Sequence, residues 1–214
     1  MKTISNCIKL LSLSIFLLFV SESIRAAPAT TLWPGNALTK VLRTDTKDDD
    51  TKNTLEITAA RAEIVSSQAV FRPHNNATKA SFSISNLKHF KDDTTIPASA
   101  IKLQWVRYID INRNTAGIPD DELIAKPPTS IPDPFWENST IPVMAEKAQP
   151  IWIEINVPQN AIPGDYNGKL TVTTEAESFE LPVILHVWNF EVPSERHLSV
   201  INWWSFPGIG FKNI

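Results

Sequence analysis

Two stretches of the chain place apolar side chains at every second position over a long run. Alternate residues of 151–157 are Ile or Val, and alternate residues of 179–187 are Phe, Leu or Val. Because successive side chains of a β-strand point to opposite faces, this spacing puts each apolar set on one face of a strand. We therefore expect both stretches to be buried strands that lie back to back in the core. Asn189 is expected to disturb the register at the end of the second.

Shorter segments extend the same pattern. Alternation at 55–57, 69–71 and 82–87, with a longer strand over 101–111, predicts further strands, and the residues Pro163 and Gly164 are typical of a turn. Short strands at regular spacing with proline-rich connections indicate an all-β fold. The predicted architecture is an antiparallel β-sandwich, immunoglobulin-like or jelly-roll-like.

Two regions lack this alternation. Residues 27–53 are polar, so we expect the core to start after them. Residues 118–147 are rich in proline, which cannot donate to a β-ladder, and they are expected to form an ordered excursion over the surface instead of core strands.

The first 26 residues have the order of a secretory signal peptide. Lys2 and Lys9 supply positive charge, residues 8–20 are almost entirely apolar, and Ala26 offers a small residue for cleavage. The alternative is a membrane anchor, but the apolar run is shorter than the ~20 residues that span a bilayer. We expect an exported protein (periplasmic, surface-attached or secreted) with no membrane contact after cleavage.

Composition narrows the classes of partner. The net charge is −3, and it becomes more negative when a basic signal peptide is removed. Basic residues are scattered, whereas nucleic acids and anionic membranes require a clustered basic face, so no nucleic-acid partner is expected. Cys7 is the only cysteine and lies in the signal peptide, so the mature chain has no disulfide and depends on its hydrophobic core.

No motif in the chain predicts a catalytic residue. The densest carboxylate cluster, residues 120–122, lies in a proline-bordered stretch and is interpreted as a solvated loop and not as a catalytic carboxylate pair. Asp133 is expected to cap a turn. We predict no catalytic site.

Metal and cofactor sites are not predicted either. Asp110, Asn112 and Asn114 faintly resemble a calcium loop, but Thr115 occupies the position that requires glycine. The four histidines are far apart in sequence, with no zinc-ligand spacing. We interpret Asp110, Asn112 and Asn114 as part of a turn rich in Asn and Asp.

Tryptophans are the remaining candidates. Trp33 and Trp136 are possible sugar-stacking residues, because aromatic rings offer an apolar face. The more usual role of a tryptophan in a sandwich is packing in the core or between domains. We assign possible interdomain packing to four residues near the C-terminus: Trp188, Trp203, Trp204 and Phe206.

Four segments, taken in order, carry a resemblance to a known family. They are LEITAARAEIVSSQAVF at 55–71, IPDPF at 131–135, the strand–turn–strand of 151–172 with its PGDYNG turn, and LHVWNFEVP at 185–193. Together they resemble the N-terminal region of glycoside hydrolase family 123-like proteins. That region is a β-sandwich followed by a (β/α)-barrel glycosidase domain.

The resemblance implies an exported bacterial enzyme acting on N-acetylhexosamine glycosides. In that family an adjacent Asp-Glu pair of the barrel works through the acetamido group of the substrate, and no residue of this chain corresponds to the pair. We expect a signal peptide (1–26), a polar segment (27–53), an accessory sandwich (54–193) and the first strand of a truncated barrel (194–214). On its own the chain should hydrolyse nothing.

Two other functional classes stay open. One is a stand-alone carbohydrate- or protein-binding module of the cell envelope, and the other is a structural surface protein. If the chain is the accessory sandwich of a glycosidase, its partner is the catalytic barrel of a full-length relative. A glycan is a further possible partner.

Overall fold

The fold was analysed in a computed structural model that describes residues 29–195 and 199–201. These residues form an all-β sandwich of two sheets, as the sequence predicts. The strands are β1 (Thr31–Gly35), β2 (Leu55–Arg61), β3 (Ile64–Arg72), β4 (Ala77–Ile84), β5 (Leu87–His89), β6 (Thr95–Ile96), β7 (Ile101–Ile111), β8 (Thr129–Phe135), β9 (Ile141–Val143), β10 (Gln149–Asn156), β11 (Gly164–Thr174) and β12 (Ser178–Glu191). Short 3-10 helices occupy Ala98–Ala100 and Asp120–Glu122.

One sheet has five strands in the order β1-β3-β10-β7-β8. The other has the order β2-β12-β11-β4-β9, and β5 and β6 extend it beside β11. Neighbouring strands are antiparallel except β2 and β12, which pair in parallel. The sandwich is therefore mixed at this pair, where the first strand of the sheet lies beside the last strand in sequence.

The two alternating stretches are β10 and β12, one in each sheet, which confirms the predicted arrangement. Ile151, Ile153 and Ile155 are completely buried, and Leu185 of the other sheet, in the same core cluster, is also at 0 % exposure. Trp105 of β7 fills the space between the sheets, with its ring centroid 5.0 Å from that of Phe82 on β4. This interface contains most of the buried apolar side chains of the described residues.

The turn between β10 and β11 depends on a glycine, as its sequence predicts. Gly164 has φ +136°, a conformation that a side chain disfavours. A Cβ atom there would lie 2.6 Å from Nε2 of His89, which is buried and 3.3 Å from the carbonyl of Pro163. The backbone N–H of Asp92 donates to Nδ1 of His89 at 3.0 Å.

The proline-rich stretch differs from the expectation of a surface excursion, because it contains β8 and β9. Both are edge strands: β8 ends the five-stranded sheet and β9 ends the other. An edge strand leaves half of its backbone groups unpaired, so the missing N–H groups of Pro132, Pro134 and Pro142 cost little there. Proline content alone did not distinguish an edge strand from a loop.

The N-terminal polar segment also contributes to the fold, contrary to prediction. Residues 31–35 form β1, which pairs with β3 at the edge of the five-stranded sheet. The following residues cross the outer face of that sheet, where Trp33, Val41, Val70 and Ala148 form a second, smaller buried cluster. The core therefore starts before residue 54.

Candidate functional site

Exposed aromatic side chains gather on the outer face of β12, near the end of the described chain. Trp188 is 49 % exposed and Phe190 is 59 % exposed, although both lie on a strand whose other face is buried. The pairing of β12 with β2 shifts register between Val187 and Glu191, as the sequence predicts around Asn189. Trp188 and Phe190 are therefore exposed at the irregular end of β12.

Neighbouring strands add charged and aromatic groups to this surface. Asp165 on β11 lies directly opposite His186 on β12, and His186 Nδ1 is 2.6 Å from Asp165 Oδ1. The backbone N–H of Phe90, whose side chain is 75 % exposed, donates to the carbonyl of Asp165. We call these five residues, namely Phe90, Asp165, His186, Trp188 and Phe190, the terminal patch.

The imidazole of His186 links the polar and apolar parts of the terminal patch. Its ring packs edge-on against Trp188, with the centroids 4.5 Å apart and an interplanar angle of 74°. Asp165 accepts from the other side of the imidazole, so the carboxylate fixes the ring orientation. The alternation of 179–187 predicts that His186 lies on the face opposite Leu185 and Val187, but Phe90 and Asp165 are brought to this face only by strand pairing.

The two tryptophans predicted to stack on sugars lie elsewhere. Trp33 is 7 % exposed and its ring is covered by the segment that follows β1. Trp136 is partly buried against the main core, and the guanidinium carbon of Arg107 is 5.2 Å from its ring centroid. The structure does not bring these two rings to a common surface with the terminal patch.

Several predicted features lie outside the described residues. They are the signal peptide, His197, the interdomain candidates Trp203, Trp204 and Phe206, and most of the predicted first barrel strand. Of the four proposed interdomain residues, Trp188 alone can be placed. Among the described residues there is no helix of the length and hydropathy that a membrane crossing needs.

The candidate carboxylates are dispersed. Residues 120–122 are exposed on a single 3-10 turn, where Asp120 forms an ion pair of 2.6 Å with Lys126. Asp110 accepts a hydrogen bond from Ser130 on the adjacent strand. The prediction that Asp133 caps a turn is wrong. This residue lies on β8, where its Oδ1 is 3.1 Å from Nζ of Lys40. Within residues 29–195 no three acidic, His or Cys side chains gather as a metal site would require.

One further ionic cluster lies where the β9–β10 connection meets the end of β3. Glu146 accepts from His74 at 2.9 Å and also pairs with Arg72. The hydrogen bond from His74, together with Arg72, lowers the pKa of Glu146 below its ordinary value. The backbone N–H of Glu146 also donates to Pro73. Because each contact joins the two segments, the cluster fixes the entry to β10.

Comparison with known families and structures was made on this fold. The sequence profile described as the glycoside hydrolase 123 N-terminal domain matches residues 39–174, more than half of the chain. A search of curated proteins finds no match.

Among solved structures, a family 123 glycoside hydrolase from Clostridium perfringens, described in connection with glycolipid glycan hydrolysis, superposes with a TM-score of 0.63 at 22 % identity. The match covers 77 % of this chain but 28 % of that one, so this chain spans less than a third of the length of its relative. A PapD-like domain of human CEP192 and the CooA pilin subunit of enterotoxigenic Escherichia coli each superpose with a TM-score of 0.35 at 11 % identity. They cover 75 % and 78 % of this chain, and all of their own.

Proposed function

This chain belongs to the glycoside hydrolase 123 N-terminal domain family, and we propose that it is the non-catalytic accessory sandwich of an exported glycoside hydrolase. In this proposal the sandwich packs against a catalytic domain that follows it in the full-length protein. The substrate class is the N-acetylhexosaminides, which the family resemblance implies. Export is proposed from the basic, apolar and small-residue order of the first 26 residues.

The observation that carries the proposal is the terminal patch. Large aromatic side chains exposed together on a sheet face are typical of a surface that another protein surface covers. Three of its five residues lie on β12, the last described strand, so a domain that follows in sequence would lie close to this surface. Trp188 provides apolar area, while the Asp165–His186 pair provides directional polar contacts at its side.

The position of the densest carboxylate cluster supports the non-catalytic part of the proposal, because residues 120–122 lie exposed on a 3-10 turn and line no cleft wall of the described sandwich. Most glycosidases use two carboxyl groups about 5–10 Å apart across a cleft. Asp120 forms an exposed ion pair with Lys126, and Glu180 forms another with Lys169. We therefore place hydrolysis in the domain to which the sandwich attaches.

The proposal is tested in two steps. Sequencing of the locus beyond the Ile214 codon should reveal a frame for a barrel domain with an adjacent Asp-Glu pair, whereas a locus without one would remove the proposed partner. The purified chain should release nothing from aryl N-acetylhexosaminides, and turnover by it would contradict a non-catalytic role.

The interface is tested in the full-length protein by thermal unfolding. Replacing Trp188 and Phe190 by serine should separate one cooperative transition into two, because the domains lose their shared apolar contact. Leu38→Ser is the matched control, since Leu38 is 95 % exposed on a different surface. Two transitions in the control, or one in the double variant, would place the interface elsewhere.

A further inference from the structure

A groove on the outer face of the five-stranded sheet has the features of a second binding surface. Its walls are the segment 37–41, which crosses the sheet, and the edge strand β8. Its floor is formed by Gln68, Val106 and Trp152, from three adjacent strands, and the groove encloses about 230 Å³. It is on the opposite side of the sandwich from the terminal patch, because the two surfaces are the outer faces of different sheets.

Two aromatic rings line this groove. Phe135 of β8 is 41 % exposed, and Trp152 of β10 is partly exposed beside it. Their ring centroids are 6.0 Å apart and the planes are inclined at 41°. The inclined rings form an open apolar corner, which leaves the face of at least one ring accessible to a ligand.

Hydrogen-bonding groups stand beside the rings. Lys40 Nζ donates to the carbonyl of Pro132 at 2.9 Å and to Asp133 Oδ1 at 3.1 Å, so a cation and a carboxylate lie together on the groove wall. Asp133 is two-thirds exposed and Lys40 is less than half exposed. Both have capacity for further hydrogen bonds, since an ammonium has three donors and a carboxylate has about four acceptor positions.

Buried contacts hold the groove in shape before any ligand arrives. The side-chain amide of Gln68 donates to the carbonyls of Asn36 and Thr39, which fixes the wall segment to the floor. Gly35 lies opposite Gln68 on β1, and a Cβ atom there would be 2.8 Å from the Gln68 side chain. The hydroxyl of Tyr108 lies 2.9 Å from the carbonyl of Val41, which fixes the other end of the segment.

We propose that this groove binds a neutral pyranose ring of a glycan, with the apolar face of the sugar against Trp152 and Phe135 and its hydroxyl groups on Asp133 and Lys40. A pyranose presents C–H groups on one face and hydroxyls around its edge, which matches a site with aromatic rings on one side and a paired cation and carboxylate on the other. A purely apolar ligand would leave the Lys40–Asp133 pair desolvated without new partners. The proposal does not rest on the presence of a catalytic domain.

The test is a titration of the purified chain with methyl β-glycosides of N-acetylglucosamine, N-acetylgalactosamine and glucose, observed by ¹H–¹⁵N NMR. At least one sugar should produce a saturable shift of the Trp152 indole N–H signal at millimolar concentration. The spectrum of Trp152→Phe identifies that signal by its loss. If no sugar shifts it, or if the sugars shift Trp188 instead, the proposal is wrong.

Substitutions in the groove test whether the shift of the Trp152 indole signal reports binding there. Phe135→Ala should weaken binding about fivefold to tenfold, because one aromatic contact is removed, and Trp152→Ala should abolish it. Asp133→Asn, which keeps the shape and removes the charge, should also weaken it. Trp188→Ala is the matched control at an exposed tryptophan outside the groove, and it should keep full affinity. Phe135→Ala and Asp133→Asn keep the Trp152 indole as the binding signal, and the other indole signals report folding. Trp152→Ala has lost that indole, so its binding is read from the backbone amides of the groove. Phe135→Ala therefore tests the proposal even if Trp152→Ala does not fold.

Discussion

The two faces of strand β10 are built from the same eight residues but depend on different parts of the chain. On the inner face Ile151, Ile153 and Ile155 are fully buried against the opposite sheet. On the outer face Trp152 and Glu154 are only partly covered. The inner face is closed by the opposite sheet, whereas the outer face is covered by a segment more than a hundred residues earlier in sequence.

The inner face of β10 contributes mainly to folding stability, whereas its outer face is available for binding. The inner face excludes water over its whole length, so its contribution to folding follows from apolar area alone. The outer face is covered by the segment 36–45 only in part, and the uncovered part is the groove. The glycan-binding proposal therefore concerns the face whose cover is incomplete.

The largest effect is expected on the inner face. Ile153→Ala should lower the free energy of unfolding by about 2–5 kcal/mol, because it removes buried methylene and methyl groups and leaves a cavity. Urea denaturation should show a lower midpoint with an unchanged slope. Glu154→Ala, the next residue on the outer face, is the control and should change stability by less than about 1 kcal/mol. Equal losses would contradict the distinction between the faces.

The sequence was sufficient for the inner face because its signal is local. Alternation over 151–157 and 179–187 identifies both strands and the faces that meet, and Pro163-Gly164 identifies the turn that follows β10. The parallel pairing of β2 with β12 could not be predicted, since it joins strands more than a hundred residues apart. Edge strands β8 and β9 were missed because proline disfavours central strands and edge strands are its exception.

A smaller effect is expected where the crossing segment is attached to the outer face. The hydroxyl of Tyr108 lies 2.9 Å from the carbonyl of Val41 and 3.1 Å from that of Ala148. Tyr108→Phe leaves both carbonyls without this donor and should cost about 1–2 kcal/mol near neutral pH. Faster amide hydrogen exchange in residues 36–45, with no change in β10, would show that the loss is confined to the segment.

The same tyrosine predicts a dependence on alkaline pH. Burial raises the pKa of Tyr108 above its ordinary value of 10.0, so the folded chain keeps the phenol proton after the unfolded chain has lost it. Its stabilising contribution is complete below pH 10 and declines as the pH rises above that value, by at most about 1.4 kcal/mol per pH unit. The difference in unfolding free energy between wild type and Tyr108→Phe should narrow above pH 10. A constant difference would mean that the phenol ionises equally in both states.

The candidate surfaces were less predictable than the core because they are formed by residues that are distant in sequence. Alternation identifies the buried face of each strand, but it does not show which residues gather on the outer face. Trp33 was a reasonable candidate for an exposed ring, and it is buried because the polar segment after it crosses the sheet. Lys40 and Asp133 are 93 residues apart, and only the folded chain brings them together.

The smallest effect on stability is expected from that ion pair. Lys40→Met removes the pair with Asp133 and the hydrogen bond to Pro132, but both charged groups are substantially exposed, so the loss should be below about 1 kcal/mol. Urea denaturation at low and high salt checks this, since an exposed pair is screened by salt and a buried contact is not. Asp133→Asn is the matched variant, and it should behave in the same way. A loss as large as that of Tyr108→Phe would mean that the pair, and not the buried contacts of Gln68 and Tyr108, holds the crossing segment. The groove wall would then depend on charges that the proposed glycan must also engage, so ligand binding and stability would change together.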